Sequence, residues 1–151
     1  MNKRIEKLVS YYKRKYSTND PFRLAEHLGI KVFYQPLGKV AGSYKYIKHT
    51  RCIFINSDIT DDAFLRVVMA HELGHAIMHR KENCCYMARH TFFLASRLEI
   101  EANEFTAHLL IDNNMLSEAK ERELTLEQFA MEFGIEKNIV ELKLSSFKEQ
   151  N

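Results

Sequence analysis

The sequence has few of the residues that define several familiar classes of small protein. It holds only three cysteines, of which Cys84 and Cys85 are adjacent, and no pair has CxxC spacing. Neither a disulfide framework nor a cysteine-based zinc knuckle is therefore expected, and reduced cytosolic thiols are the simpler interpretation. Two prolines and five glycines are spread along the chain without a linker or repeat. We therefore expect a single domain over 1–151.

Long apolar runs and a strong charge imbalance are also missing. No stretch approaches the length of a membrane span, so no membrane contact is expected. The basic N-terminus is followed by neither an apolar run nor a cleavage site, so we expect no signal peptide and a cytoplasmic protein. The 22 basic and 20 acidic residues give a formal net charge of +2. That balance argues against a dedicated nucleic-acid binder and predicts weak steering of acidic partners.

Hydrophobic periodicity predicts an α+β fold. Three short segments alternate apolar and polar residues and should form a small three-stranded sheet of antiparallel type, packed on a helical core. The strands are expected over 30–34, 42–47 and 52–56. The helices are expected over 3–16, 21–28, from a cap cluster at 60–62 to Met78, and over 97–111, 125–133 and 136–147, with a loop over 81–96 and a helical tail over 113–151.

The segment 71–75 reads HELGH and lies inside the longest predicted helix. Residues i and i+4 share one face of a helix, so His71 and His75 can bind one metal ion through two imidazoles. The carboxylate of Glu72 can then take a proton from a water molecule that the metal activates. Gly74 would leave the helix surface open beside the metal. The pattern predicts a catalytic zinc centre, against the alternative of two core or surface histidines.

A catalytic zinc needs a third protein ligand, and the longer HExxHxxGxxH pattern is absent. His79 lies about 12 Å along the helix axis from His71 at 1.5 Å per residue, so we expect a structural or outer-shell role for it. The second helix offers Glu99 on its apolar face, with Glu101 as the alternative nearer the solvated edge. Asn103, one turn further on, can accept the remaining N–H of a liganding histidine.

Two further expectations concern the substrate and the oxyanion. The third strand is interpreted as an exposed edge strand, to which an extended substrate would add as another strand. The residues involved would be Ile53, Phe54 and Ile55. A hydrogen-bond donor to the oxyanion is expected from the loop before the second helix or from the strands. The candidates, which the sequence does not rank, are His90, Tyr86 and Tyr44.

These residues occur in an order that resembles one known family. The motif and its flanks read VMAHELGHAIMH at 68–79, and EIEANEFTAHLL follows at 99–110. With DPFRLAEHLGI at 20–30 and CIFIN at 52–56, they resemble the ImmA/IrrE metallo-endopeptidases over about 18–112. The resemblance implies a minimal thermolysin-like peptidase with Glu99 as third ligand and Asn103 as its outer-shell partner. It also implies cleavage of helix-turn-helix repressors in mobile elements or stress circuits.

The sequence therefore predicts a zinc-dependent endopeptidase that acts on a protein substrate, a transcriptional repressor. Another divalent ion in place of zinc fits the same site. The alternative function is a regulatory binding protein that keeps the fold without turnover. The segment 125–144 loosely resembles a helix-turn-helix, but its apolar positions suit a core and it holds more glutamates than lysines. No direct nucleic-acid contact is expected from it, and the oligomeric state stays open.

Overall fold

The α+β class and its helical core are confirmed by a computed structural model, which describes residues 2–87 and 96–149. The elements are α1 (Lys3–Tyr16), α2 (Pro21–His27), β1 (Lys31–Gln35), β2 (Val40–Ile47), β3 (Thr50–Asn56), α3 (Asp62–Met78), β4 (Cys84–Met87), α4 (Arg97–Leu110), α5 (Asn113–Glu121), α6 (Leu126–Phe133) and α7 (Lys137–Glu149). None of the helices in these two ranges combines the length and the hydropathy that a membrane span requires.

The sheet is larger than predicted and mixed in direction. Its order is β1-β3-β2-β4, with β3 antiparallel to β2 and parallel to β1. β3 turns back from β2 and inserts between β2 and β1, so β1 meets a strand that runs in its own direction. β4 pairs antiparallel with the other side of β2. It lies within the segment expected to be a loop, because four residues are too few to show a strand pattern.

The prediction that β3 is an exposed edge strand is wrong. Both of its backbone edges are occupied, one by β1 and one by β2. Ile53 and Ile55 are fully buried, and Phe54 is partly buried. An extended substrate therefore cannot add beside these residues.

Local side chains explain how the sheet closes. The connection between β2 and β3 has only two residues, Lys48 and His49, which both have positive φ values of 47° and 62°. This is the backbone that a tight antiparallel hairpin requires. The amide nitrogen of Asn56 donates to the carbonyl oxygens of Gly38 at 3.0 Å and Val40 at 2.9 Å, which fixes the loop before β2.

The helix α3 is buried between the sheet on one side and α4 on the other. Asp61 caps its start by accepting hydrogen bonds from the backbone N–H groups of Ala63 and Phe64 at 3.0 and 3.4 Å. All ten residues from Val67 to Ala76 are buried. The amphipathic pattern expected of a surface helix is therefore absent here, because neighbours cover α3 all round.

The tail adds three helices, of which α5 was not predicted. Gly134 ends α6 with a φ of +62°, and a Cβ at this position would lie 2.3 Å from the Cβ of Ala63. The turn between α6 and α7 therefore fits closely against the start of α3. Phe129 and Ile139 belong to the same hydrophobic core as Ile5 of α1.

Candidate metal centre

Two turns of α3 and the first turn of α4 bring three potential ligands together. The Nε2 atoms of His71 and His75 are 3.1 Å apart. One carboxylate oxygen of Glu99 lies 3.1 Å from Nε2 of His71, and the other lies 3.0 Å from Nε2 of His75. Both imidazoles are fully buried, whereas the Glu99 side chain keeps 20 % of its surface exposed. The group therefore opens to solvent on the side of Glu99.

The outer nitrogen of His71 contacts α4. Its Nδ1 lies 2.9 Å from Oδ1 of Asn103. An amide oxygen only accepts, so the hydrogen of His71 is on Nδ1 and the lone pair of Nε2 faces Glu99. Asn103 lies one turn after Glu99 on α4, which is why both reach the same imidazole.

The outer nitrogen of His75 begins a longer hydrogen-bonded series. Nδ1 of His75 lies 2.9 Å from Nδ1 of His79, and Nε2 of His79 lies 2.8 Å from Oε2 of Glu101. Oε1 of Glu101 accepts from Nε of Arg97 at 2.8 Å. Because the carboxylate accepts from Nε2 of His79, Nδ1 of His79 accepts from His75. We call His79, Glu101 and Arg97 the His79 chain.

The two candidate carboxylates contact different side chains. Glu101 is directed to His79 and Arg97, while Glu99 lies between the two motif histidines. The sequence predicted a structural or outer-shell role for His79 but did not identify Glu101 as the residue that it contacts. The i, i+4 spacing of His75 and His79 indicated that the two imidazoles lie on the same helix face and can contact each other. It carried no information about Glu101, which lies on another helix.

The arrangement fits a divalent metal ion. Two imidazole lone pairs and one carboxylate converge in a largely buried space, where unbalanced acceptors are costly unless a cation lies between them. The contacts of 3.0–3.1 Å between the three side chains are close to the separation of about 3.3 Å between ligand atoms in a tetrahedron with bonds of about 2.05 Å. His71, His75 and Glu99 thus form a possible metal-binding group.

Protonation favours the same arrangement. Burial raises the pKa of Glu99, but the two imidazoles beside its carboxylate outweigh burial and hold that pKa well below its usual range. Burial lowers the pKa of His75, against the opposing effect of Glu99. A neutral imidazole and an ionised carboxylate are the forms that bind a metal.

Two glycines control how closely the neighbours approach the motif. A Cβ on Gly42 of β2 would lie 3.1 Å from Cγ of Glu72 and 2.7 Å from Val68, so Gly42 allows the sheet to lie directly on Glu72, which is fully buried. A Cβ on Gly74 would lie 3.2 Å from the ring of Phe105. Gly74 therefore allows α4 to pack closely against α3. The prediction that Gly74 leaves an open surface beside the metal is wrong.

The three oxyanion candidates have different outcomes. His90 lies outside the described residues. Tyr86 is in β4, where its backbone pairs with Gly42, and its side-chain role stays a prediction. Tyr44 is fully buried and donates its hydroxyl proton to the carbonyl oxygen of Arg80. Burial raises its pKa to about 12. The hydroxyl proton of Tyr44 is therefore engaged by the carbonyl oxygen of Arg80 and is not directed to an oxyanion in this structure.

A family model described as the IrrE N-terminal-like domain, Peptidase_M78, matches residues 25–145. The chain belongs to this family. The predicted ImmA/IrrE membership is confirmed, and the match extends into α7, well past the end of the resemblance seen in the sequence.

Two relatives align over nearly the whole chain. One is the Uncharacterized immunity region protein 2 of Bacillus phage phi105, which is 36 % identical over 146 residues, covering 95 % of this chain and 92 % of that protein. The other is the Metallopeptidase ImmA of Bacillus subtilis (strain 168), which is 28 % identical over 148 residues, covering 95 % and 86 %. This Peptidase_M78 member therefore combines membership of a metallopeptidase family with a His-His-Glu group suited to a divalent metal.

Proposed function

We propose that this Peptidase_M78 protein is a zinc-dependent endopeptidase in which His71, His75 and Glu99 bind the metal. The observation that carries the proposal is the convergence of two imidazole lone pairs on the Glu99 carboxylate. The buried Glu72 follows His71 on the same helix. The name of the Bacillus subtilis relative, a metallopeptidase, supports the same assignment.

In the proposed mechanism each residue has a separate task. A bound zinc ion supplies a Lewis acid that acidifies water and polarises the scissile carbonyl group. Glu72 takes the proton of the attacking water and then delivers it to the nitrogen of the leaving amine. Asn103 and His79 hold the two imidazoles in the tautomers that present Nε2. The close cover of β2 at Gly42 limits access of bulk water to Glu72.

We infer that the substrate binds in an extended form along β4. Within residues 2–87 and 96–149, no strand pairs with the outer edge of β4. Gly42, which lies against Glu72, pairs with Tyr86 in β4, and neighbouring strands lie about 4.8 Å apart. An added peptide strand would gain main-chain hydrogen bonds close to the catalytic carboxylate.

The proposed substrate is a helix-turn-helix transcriptional repressor of a mobile element. Support comes from the name of the phage relative, an immunity region protein, and from the name ImmA of the bacterial relative. The place of action would then be the cytoplasm, where such a repressor binds its operator.

The substitution Glu72→Gln tests the mechanism, because it keeps the size of the side chain and removes the base. We expect zinc binding to persist and the rate of cleavage of the repressor encoded by the neighbouring gene to fall by about 10²–10⁴-fold. The exposed Glu121→Gln, at the end of α5, is the matched control and should cleave normally. Undiminished cleavage by Glu72→Gln would sink the mechanism.

The same variant separates peptidase activity from regulation by binding alone. Repression in cells carrying Glu72→Gln should stay in force. Relief of repression equal to that given by the unaltered chain would favour a binding protein that keeps the fold without turnover.

A further inference from the structure

A groove of about 920 Å³ lies between the first half of α1, the end of α3 and the start of α4. Among the described side chains that line it, five are basic and two are acidic, a local excess of three positive charges. The basic residues are Arg4, Lys7, Arg80, Lys81 and Arg97, and the acidic residues are Glu82 and Glu101. We call this feature the basic groove. The net charge of the chain, +2, does not reveal this local excess, because acidic residues elsewhere offset it.

Part of this positive charge is available to a partner. Arg97 is paired with Glu101, and the guanidinium of Arg80 lies 5.3 Å from the ring centroid of Tyr46. The other three basic side chains are exposed and form no ion pair with any described residue. They are Arg4, Lys7 and Lys81. Clustered cations of this kind raise the local concentration of an acidic partner.

The groove also offers apolar surface between its charged sides. Five apolar or aromatic side chains that line it are partly exposed. They are Leu8, Tyr12, Ile77, Met78 and Leu98. A DNA backbone would neutralise the charges and leave this surface uncovered. An amphipathic protein helix with acidic flanks would neutralise the basic side chains and also cover the apolar surface, because its apolar stripe fits a groove between helices.

The position of the groove relates it to the metal centre. His79 and Glu101, two members of the His79 chain, line it. His79 bonds to Nδ1 of His75, the nitrogen opposite the one that faces Glu99. The groove therefore lies behind His75, on the side opposite the nitrogen that faces Glu99.

We propose that the basic groove is a docking site for an acidic, amphipathic segment of the protein substrate, distinct from the segment that is cut. This inference rests on the proposed endopeptidase function. A separate docking site gives selectivity for one protein by lowering KM for the whole substrate. It does not change the rate at which bound substrate is cut.

Direct binding tests the proposal without requiring cleavage. The probes are a fluorescein-labelled peptide of about 18 residues with leucines at i, i+3, i+4 and i+7 and glutamates elsewhere, its lysine analogue, and a duplex DNA of about 20 base pairs. Fluorescence anisotropy is measured with the zinc-loaded full chain. The double variant Arg4→Glu/Lys7→Glu reverses two charges in the groove. Arg14→Glu/Lys15→Glu makes the same change of charge on α1 outside the groove.

We expect the acidic peptide to bind the unaltered chain, the groove variant to bind it about tenfold more weakly, and the control variant to differ less than about twofold. Circular dichroism verifies that both variants fold. No binding of the acidic peptide, equal weakening by both variants, or equal binding of the lysine analogue would overturn the proposal. Groove-dependent binding of the duplex that is tighter than that of the peptide would assign the groove to nucleic acid and overturn it as well.

Hydrolysis of the neighbouring-gene repressor separates the two proposals. If no hydrolysis occurs but groove-dependent binding persists, the peptidase proposal fails and the acidic docking site remains. If hydrolysis occurs and Arg4→Glu/Lys7→Glu leaves its KM unchanged, the docking proposal alone fails. A raised KM with the same kcat is the result that we expect.

Discussion

Buried histidines lie near both ends of α4, and their surroundings differ. His71 and His75 of α3 lie beside its start, and His108 belongs to its last turn. At its N-terminal end, His71 and His75 turn one nitrogen each toward Glu99 and the other toward an outer partner. Toward its C-terminal end, His108 is only 4 % exposed, and its Nδ1 lies 3.2 Å from Nζ of Lys143. Within the described part of the chain, Nε2 of His108 has no hydrogen-bond partner.

The comparison shows that burial of an imidazole does not by itself indicate a metal site. His108 is beside a cation, and burial, with the Lys143 ammonium next in importance, lowers its pKa to about 4. The metal centre has the opposite arrangement, since three acceptors converge and an anion, Glu99, is shared. Convergent acceptors attract a cation, whereas an imidazole beside an ammonium is only kept neutral.

The largest effect is expected on zinc affinity when Glu99→Gln removes the carboxylate that both imidazoles face. An amide is a far weaker ligand than a carboxylate, so the loss of zinc affinity should exceed the roughly 10–100-fold cost of losing an outer-shell partner. Competition with a chromophoric chelator gives the dissociation constant. The exposed Glu82→Gln provides the control, and near-normal affinity in Glu99→Gln would remove Glu99 from the set of ligands.

Removal of the metal should destabilise the fold at the same end of α4. When free zinc is about a hundredfold above its dissociation constant, binding adds about 2.7 kcal/mol to the free energy of unfolding. Thermal unfolding with and without a chelator measures this difference, which Glu99→Gln should abolish. An identical Tm in both conditions for the unaltered chain would contradict a metal bound only by the native state.

The two outer partners should contribute unequally. His79→Phe removes a ring that is bonded to a carboxylate, and Asn103→Leu removes a neutral amide. Because charge-assisted bonds are stronger, we expect the first to weaken zinc binding toward the upper end of the roughly 10–100-fold range and the second toward its lower end. The same chelator competition ranks them. The reverse order would show that the His79 chain does not orient His75.

The effect expected farthest from the metal-binding group is at His108, and it depends on pH. Its pKa of about 4 in the folded chain lies below the value of about 6.5 in an unfolded chain. Between these values the unfolded chain binds more protons, so the free energy of unfolding falls as the pH falls from 6.5 to 4, by about 2 kcal/mol.

The substitution His108→Gln should remove that part of the pH dependence. Urea unfolding at pH 7 and pH 4.5 measures the difference between the variant and the unaltered chain. Lys143 and Lys13 act in the same direction as burial, and Glu6 opposes them. Parallel pH profiles for the two proteins would show that His108 is not kept neutral by its surroundings.

The sequence allowed much of this centre to be predicted because its signals are local. The i, i+4 spacing of His71 and His75 sets two imidazoles on one helix face in any fold that keeps the helix. Helix caps such as Asp61, together with the apolar residues that follow them, predicted α3 and α4 to within a few residues. The preference for Glu99 over Glu101 followed from the apolar face of α4.

What was missed depended on contacts between distant segments. The position of β3 in the sheet follows from which strands pair with it, and no property of the strand itself distinguishes a central from an edge position. The contact of Gly42 with Glu72 joins residues thirty positions apart. The basic groove combines charges from α1, α3 and α4 that the net charge averages away.

The sequence by itself thus determined most of the helices and the placement of His71 and His75 on one helix face with Glu72 beside them, because these depend on spacing within one element. Only the tertiary structure showed that Glu99 faces both imidazoles, that Glu101 turns to His79, and that the central strand is closed to substrate. Each of these depends on how two elements approach one another. The distance between two elements is set by side-chain volume at contact positions such as Gly42 and Gly74. The sequence lists these glycines but does not show which residues of another element lie against them.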